Sequence, residues 1–543
     1  MTWVERGILT NSKNNNRINE MPHPTGRTNK QYAKDNFCVC TTAYQLNKST
    51  HTGGGSHYLL FDEISHTLHQ SGHDVHMLVQ SGVPRIKGLN YTGRNNSYRV
   101  TLWSASEEYL SRYEQWFLEK QREFFLGRET ADMFLDLMGH FALQCEWIMN
   151  DVNIIDSLRG EHFDIAVIDA FNPCSFLVAE KLGLQFVTVH GGNFWNVHQW
   201  GMGVPLSFVP VHRSLLTDRM DFWQRLKNSL MFLGSLGFEM RIQARFEKAI
   251  REHFPGTDVS LSKLYTKAQL AIYNTDFTLE FSRPLPPNVI CVGGLLSKPS
   301  KPVPQELEDL LQTAGENGFV VVTFGSMLMS VSLPGLLKEM NAAFAQLPQL
   351  IIWRQLRSNW PSDLQPAPNV KLLDWLPQND LLGHPKVRLL VTHGGMNSLQ
   401  QAVYHGVPVI GIPLFGDQFD NMVRVEVKGL GLTVHVTQVQ ADHLSHTMAT
   451  VIKDKRYKAS AETLSRVHRS YPFPPRQRLV QWLEHVLEFR GGDHLRPYGL
   501  QLPWYQYHLL DVILFLLGSA SVLVYLMLRV VYGLKGVGKV KKD

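Results

Sequence analysis

At 543 residues, 44% apolar and 19% charged, the chain has the core-forming content of several folded units, which excludes a disordered or low-complexity protein. A net charge of +5 is small for this length and gives no ground for a nucleic-acid partner. Five cysteines, at positions 38, 40, 145, 174 and 291, match neither a disulfide framework nor zinc-site spacing and read as unpaired thiols.

Residues 1–36 are polar and Asn-rich and contain no apolar h-region. Sequons at Asn47, Asn90 and Asn95 are compatible with a glycosylated, luminal chain. FCVCTTAY (37–44) can serve as a first strand. GGGSHYLLFDEISHTLHQSGHDV then reads as a loop bearing His57, an amphipathic helix, and a Gly72-His73 turn into the strand VHMLV. FDIAVID (163–169) is a strand, CSFLVAEKLG a helix closed by glycine, and FVTVH the next strand. Residues 213–238 repeat apolar side chains at helical spacing beside basic ones. That pattern suits helices packed on the preceding sheet, or a helix lying on a membrane surface.

LSKPSKPVPQELEDLL reads as a linker, and a second alternating series follows: GFVVVTFGS, LIIW, NVKLLDW, VRLLVTHGG and VPVIGIPLF. The expectation is therefore two doubly wound α/β halves facing a cleft, with ligands beyond the carboxyl ends of the strands. The expected boundaries are an atypical N-terminal segment (1–50), an acceptor-binding half (51–297), a second half (298–490), a juxtamembrane segment (491–511), a membrane span (512–531) and a basic tail (532–543). The span reads VILFLLGSASVLVYLMLRVV, the length of a hydrocarbon core, with Trp504, Tyr505 and Tyr507 before it and lysines beyond. The ending KVKKD resembles a dilysine retrieval signal. Together these predict a single-pass protein of the endoplasmic reticulum membrane, with a luminal catalytic part and a cytosolic tail. No signal peptide is visible in the sequence to deliver it there.

The chemistry concentrates in VTHGGMNSLQQAVYHGVPVIGIPLFGDQFDN (391–421). A buried strand turns through His393, Gly394 and Gly395 into a helix whose first N–H groups are unpaired and carry the positive end of the dipole. Glycines there let an anion approach the backbone, and Asn397 and Ser398 add polar side chains to the first turn. N-capping would account for Asn397 or Ser398 alone, not for the His-Gly-Gly before them. The chain has neither GxxxxGK[ST] nor GxGxxG, so ATP and NAD are poor fits.

The block Trp375–Gln418 resembles, without insertion, the donor signature of the UDP-glycosyltransferases. GGSHYLL, LLTDRMDFW, PPRQRLV and KVKK are most similar to the animal family 3 members. The resemblance implies a GT-B fold and transfer of a sugar from a UDP-sugar, a co-substrate, to a small lipophilic hydroxyl compound, with inversion and without a metal or other cofactor. It implies that Trp375 stacks on uracil and that Gln378 bonds the uridine. His393, Gly395, Asn397 and Ser398 would bind the diphosphate with Ser326 nearby, Asp417 and Gln418 would grip the sugar, and Phe415 would shape its pocket. His57 would be the base and Asp169 its partner.

Two departures stand out. An Asn-Lys-Ser-Thr insertion lengthens the segment before His57, and Gln401 stands where the family usually has a ribose-binding glutamate. A glutamine accepts one bond without charge assistance, which predicts weakened donor affinity. The alternative reading is a catalytically silent UDP-sugar-binding partner of active relatives, as a homo- or hetero-oligomer. Family 3 points to neutral sugars over glucuronic acid.

Overall fold

The computed structural model describes residues 35–41, 55–80, 97–192, 194, 203–325 and 333–539. The first sheet contains β1 (Asn36–Thr41), β2 (Asp74–Gln80), β3 (Arg99–Trp103), β4 (Ile165–Asp169), β5 (Phe186–His190), β6 (Ala271–Tyr273) and β7 (Val289–Cys291), in the order β3-β2-β1-β4-β5-β6-β7. The second contains β8 (Phe319–Thr323), β9 (Leu350–Arg354), β10 (Val370–Leu373), β11 (Val387–Thr392), β12 (Val409–Gly411) and β13 (Gly431–Thr433), in the order β10-β9-β8-β11-β12-β13. Every pairing is parallel. In each sheet the order reverses beside the first strand, which is the doubly wound arrangement expected from the sequence.

Strands buried on both faces read as near-continuous apolar runs, and IAVID and FVVVT are wholly buried with a polar residue only at their carboxyl ends. Alternate residues feed opposite layers. Ile165 and Val167 pack into one core layer, and Ala166 and Ile168 into the other. Phe319 and Val321 likewise part from Val320 and Val322. FCVCTTAY does supply a strand, β1, at the centre of the first sheet.

Several expectations need correction. His57 is not on a loop; it is the second residue of the helix Ser56–Gln70. The linker is shorter than expected, because Gln305–Gln312 forms a helix that turns Leu307, Leu310 and Leu311 towards the second core. Two cysteines are paired: Cys145 and Cys174 form a disulfide with their Cα atoms 5.4 Å apart. The helices Ala131–Asn150 and Cys174–Leu182 cover the same face of the first sheet, which brings these residues together across a separation of 29. Cys291 is a free thiol.

Residues 213–238 lead into a single long helix that runs beyond them. A capping box from Asp221 and Gln224 starts a 32-residue helix, Phe222–His253. Its later half packs Ile242, Phe246 and Ala249 into the first core. Its earlier half leaves Phe222, Trp223, Leu226, Leu230 and Leu233 exposed.

The second half does not end where chain order suggests. The helix Pro475–Glu488 returns to the first unit and inserts Leu479, Val480, Leu483 and Val486 beside Phe37, Val39 and Ile64. Each buried aliphatic contributes roughly 1.5–3 kcal/mol. Arg476 secures the return through Glu63 at 2.8 Å. Beyond it, Leu510–Tyr532 is an exposed helical stretch of 23 residues with mean hydropathy 2.2, long and apolar enough to cross a membrane.

Candidate active site

The carboxyl ends of both sheets face one cleft of about 870 Å³. Every site residue expected from the sequence lines it, apart from Ser326, which lies outside the described residues.

At the end of β11, the helix Met396–His405 begins at Gly395 without a side-chain cap, so Asn397 and Ser398 are not spent on capping. The His393 ring sits between two glycines. A Cβ on Gly325 would lie 2.8 Å from the ring, and one on Gly395 2.5 Å. Burial, reinforced by the nearby Arg354 charge, pushes His393 down to about 4, so at neutral pH it is an uncharged hydrogen-bonding group.

Arg354, at the end of β9, was not singled out from the sequence. Its Nη1 donates to the Gly325 carbonyl at 2.9 Å, and its guanidinium lies 4.6 Å from the Trp375 ring. Burial lowers its pKa to about 10, which leaves it charged at neutral pH. The indole it approaches is 46% exposed and presents a flat apolar surface to the cleft. The available signal was a cation at the carboxyl end of a buried strand.

Side-chain amides knit the helix Met396–His405 to its surroundings. Gln378 Nε2 donates to Ser398 Oγ at 3.1 Å and to Gln401 Oε1 at 2.9 Å. Gln401 Nε2 in turn donates to the Leu296 carbonyl at 3.2 Å. A glutamate at 401 could not make that last bond, so the departure from the family pattern has a structural use. Its neighbour Gln400 accepts from Gly294 N–H at 2.9 Å and donates to the Asn274 carbonyl at 2.5 Å. Asn274, also unforeseen, donates through Nδ2 to Asn397 Oδ1 at 2.8 Å, leaving the Asn397 amide N–H groups for a ligand. Gln418 is partly committed as well, because its Oε1 accepts from Leu414 and Phe415 N–H at 2.9 and 3.1 Å. Asp417 Oδ2 accepts from Asn421 at 2.8 Å.

Across the cleft, His57 Nδ1 lies 2.8 Å from Asp169 Oδ2 at the end of β4. The other Asp169 oxygen accepts from Phe171 N–H at 3.0 Å, and the helix Cys174–Leu182 takes no side-chain cap. Asp169 therefore serves the histidine and the turn, not a helix end. Burial pulls the His57 pKa down, but Asp169, by charge and hydrogen bond, and Asp417 more weakly, outweigh it. The result lies above the ordinary histidine value. A carboxylate on Nδ1 leaves Nε2 as the free ring nitrogen. Gly191 allows the close approach, since a Cβ there would lie 3.0 Å from the imidazole. Around His57 the wall is aromatic, with Trp116, Phe117, Phe134, Phe171 and Phe238.

A polar strand-to-helix turn beside an exposed indole, facing a carboxylate-paired histidine across a cleft between two doubly wound sheets, is the arrangement of a GT-B glycosyltransferase. The family model for UDP-glucoronosyl and UDP-glucosyl transferase matches residues 51–542, and the chain belongs to that family. It is 48% identical over 467 residues to UDP-glucuronosyltransferase 3A1 of Xenopus laevis, covering 85% of this chain and 88% of that one. Human UDP-glucuronosyltransferase 3A2 is 45% identical over 496 residues, covering 90% and 94%. Human 2-hydroxyacylsphingosine 1-beta-galactosyltransferase is 35% identical over 473 residues, covering 87% and 85%. In fold the chain is similar to the calicheamicin glycosyltransferase CalG4, with TM-score 0.54, 15% identity and coverage of 84% and 99%. It is also similar to the glycosyltransferase VinC in complex with dTDP, with TM-score 0.52, 17% identity and coverage of 84% and 100%. The protein is thus an enzyme of the UDP-glycosyltransferase class.

Proposed function

We propose that this enzyme transfers a neutral sugar from UDP to the hydroxyl of a small lipophilic acceptor, with inversion and with His57 as general base. The observation that carries the reading is the His57–Asp169 contact of 2.8 Å, set between an aromatic wall and the donor helix. His57 Nε2 takes the acceptor proton as the oxygen attacks the anomeric carbon, the C1–O bond to the diphosphate breaks, and UDP leaves. Asp169 holds the imidazole tautomer and stabilises the imidazolium, as in serine hydrolases. Trp375 stacks on the uracil, Gln378 and Gln401 meet the nucleoside, and His393, Gly395, Asn397 and Ser398 bind the diphosphate with Ser326. Asp417 and Gln418 hold the sugar hydroxyls, and Phe415 borders them. The step uses no metal ion.

The preference for a neutral sugar rests on the resemblance to family 3 members. The guanidinium bonded to the Phe415–Asp417 loop, Arg213, is committed to Glu129 and Gly416 and so does not face a uronate. Lipophilic acceptors, phenols or steroid-like alcohols, suit the aromatic wall. They enter from the bilayer, anchored by Leu510–Tyr532. Met231, Phe232 and Phe238 of the helix Phe222–His253 line the cleft, while Leu226, Leu230 and Leu233 of the same helix face outward. The Cys145–Cys174 disulfide favours an oxidising compartment such as the endoplasmic reticulum lumen.

The test is UDP release from microsomes expressing the chain, supplied with several UDP-sugars and a phenolic acceptor. Release above a His57→Ala control supports catalysis. Nucleotide binding without release would instead favour the silent-partner reading.

A further inference from the structure

The loop Phe415–Gly416–Asp417 is held from outside its own unit. Glu129 lies at the corner between the helices Glu107–Phe125 and Ala131–Asn150, and its Oε1 accepts from Gly416 N–H at 2.8 Å. Arg213 Nη1 donates to the Gly416 carbonyl at 3.0 Å, and its Nη2 lies 2.7 Å from Glu129 Oε2. Both backbone groups of Gly416, a residue at φ 63° that favours glycine, are thus gripped by one ion pair of the acceptor unit.

The grip is itself braced. Asp420 accepts from Arg213 N–H at 2.5 Å and from Leu215 N–H at 3.2 Å. Both of these donor residues sit in the left-handed region, at φ 67° and 56°, which non-glycine residues adopt only when their surroundings impose it. The Arg213 guanidinium lies 4.7 Å from the Phe419 ring, and Phe124 stacks on Phe415 at 4.8 Å. The corner is close against the second unit, since a Cβ on Gly127 would lie 2.7 Å from the Thr437 side chain.

We propose that Glu129 and Arg213 are positioning residues for the donor sugar. They fix Gly416 so that Phe415 and Asp417 present one setting to the hexose, which makes donor-sugar preference depend on the acceptor unit. The inference rests on the proposed role of Asp417 toward the sugar. UDP lacks the hexose and should not sense the grip, whereas UDP-sugars that differ at one substituent should, because small displacements of a contact group are costly.

The experiment compares full-length protein in microsomes with Glu129→Gln, Arg213→Lys and Arg213→Gln, checked for equal thermal melting. Affinities for UDP, UDP-glucose and UDP-N-acetylglucosamine are measured, together with kcat/KM for the two sugars. Arg213→Gln is expected to weaken the UDP-sugars roughly tenfold and to change their kcat/KM ratio, with UDP affinity held within about twofold. Arg213→Lys should fall between, since an ammonium cannot fork to two acceptors in the guanidinium geometry. Glu129→Gln keeps an oxygen for Gly416 N–H and loses only the charge pair, so its effect should be smaller. If Arg213→Gln does not fold, the other two variants carry the test.

Parallel loss of UDP and UDP-sugar binding would overturn the proposal in favour of a structural contact, and unchanged sugar affinity and preference would overturn it outright. Wild-type protein that binds none of the three nucleotides would overturn the parent reading too, and would do so before any variant is made.

Discussion

The donor side of the cleft takes most of its groups from one stretch, Trp375 to Gln418, while the acceptor side gathers His57, Trp116, Phe134, Asp169 and Phe238 from across the first unit. Both stand on the same strand order. The donor side rests on short strands, and its polar residues are held by amides and glycines, so its geometry is fixed residue by residue. The acceptor side is walled by long helices, one of which, Ala131–Asn150, a disulfide ties to the short helix Cys174–Leu182, and its shape depends on how those helices pack. A nucleotide is a constant ligand that rewards the first design, whereas the hydrophobic acceptor proposed above requires only volume and one well-placed base.

The largest expected effect sets the halves furthest apart. His57→Ala should lower turnover by about 10²–10⁴-fold while leaving UDP binding intact, as measured by transfer assays and nucleotide titration. Asp169→Asn should come close to it. Loss of nucleotide affinity in either variant would blur the division between the halves.

Next in size, Cys145→Ser removes the helix tie on the acceptor side. A bridge closing a loop of this length contributes about 2–4 kcal/mol, so thermal melting should fall while UDP affinity of the folded protein stays constant. On the donor side, Trp375→Ala should weaken UDP by roughly 1–3 kcal/mol of stacking, measured by titration, with acceptor KM unchanged.

The pH profile probes the charge environment of His57 within the acceptor side. On the proposed mechanism the base works as neutral imidazole, and the His57 pKa is raised, so kcat/KM should fall with acidification through a limb above the ordinary value near 6.5. Asp169→Asn should move that limb downward, because burial would then act with less opposition. The linked stability has the opposite sense. It is fully present below about 6.5 and is lost as pH rises through the raised value.

The smallest expected effect is Gln401→Glu, which sets a carboxylate against the Leu296 carbonyl. We expect a stability loss of about 1 kcal/mol by denaturant titration, with little gain in donor KM. A large gain would show that the glutamine is a functional deficit and not an interdomain tie.

The sequence carried the donor half almost completely, since strand, turn and helix lie next to one another and the spacing of polar residues is their geometry. The two-sheet architecture was equally legible from buried strand runs. Four strands were not singled out: β3, and the three-residue β6, β7 and β13, which are too short to show a period. Arg354 and Asn274 were missed because each acts at the end of a strand remote from the motif it serves. The Cys145–Cys174 pairing was invisible because two helices must pack before their thiols meet. His57 and Asp169 were found through the family resemblance, and packing alone sets their separation.

The returning helix Pro475–Glu488 also bears on the order in which the enzyme is made. During synthesis the first sheet emerges early, yet the core face that Leu479 and Leu483 complete stays uncovered until nearly the whole chain has left the ribosome. The apolar helix that could cross a membrane follows only some twenty residues later. Nascent chains in that interval expose apolar surface that invites aggregation. A premature stop shortly before residue 475 would therefore damage the acceptor half, although every residue of that half's sheet had already been made.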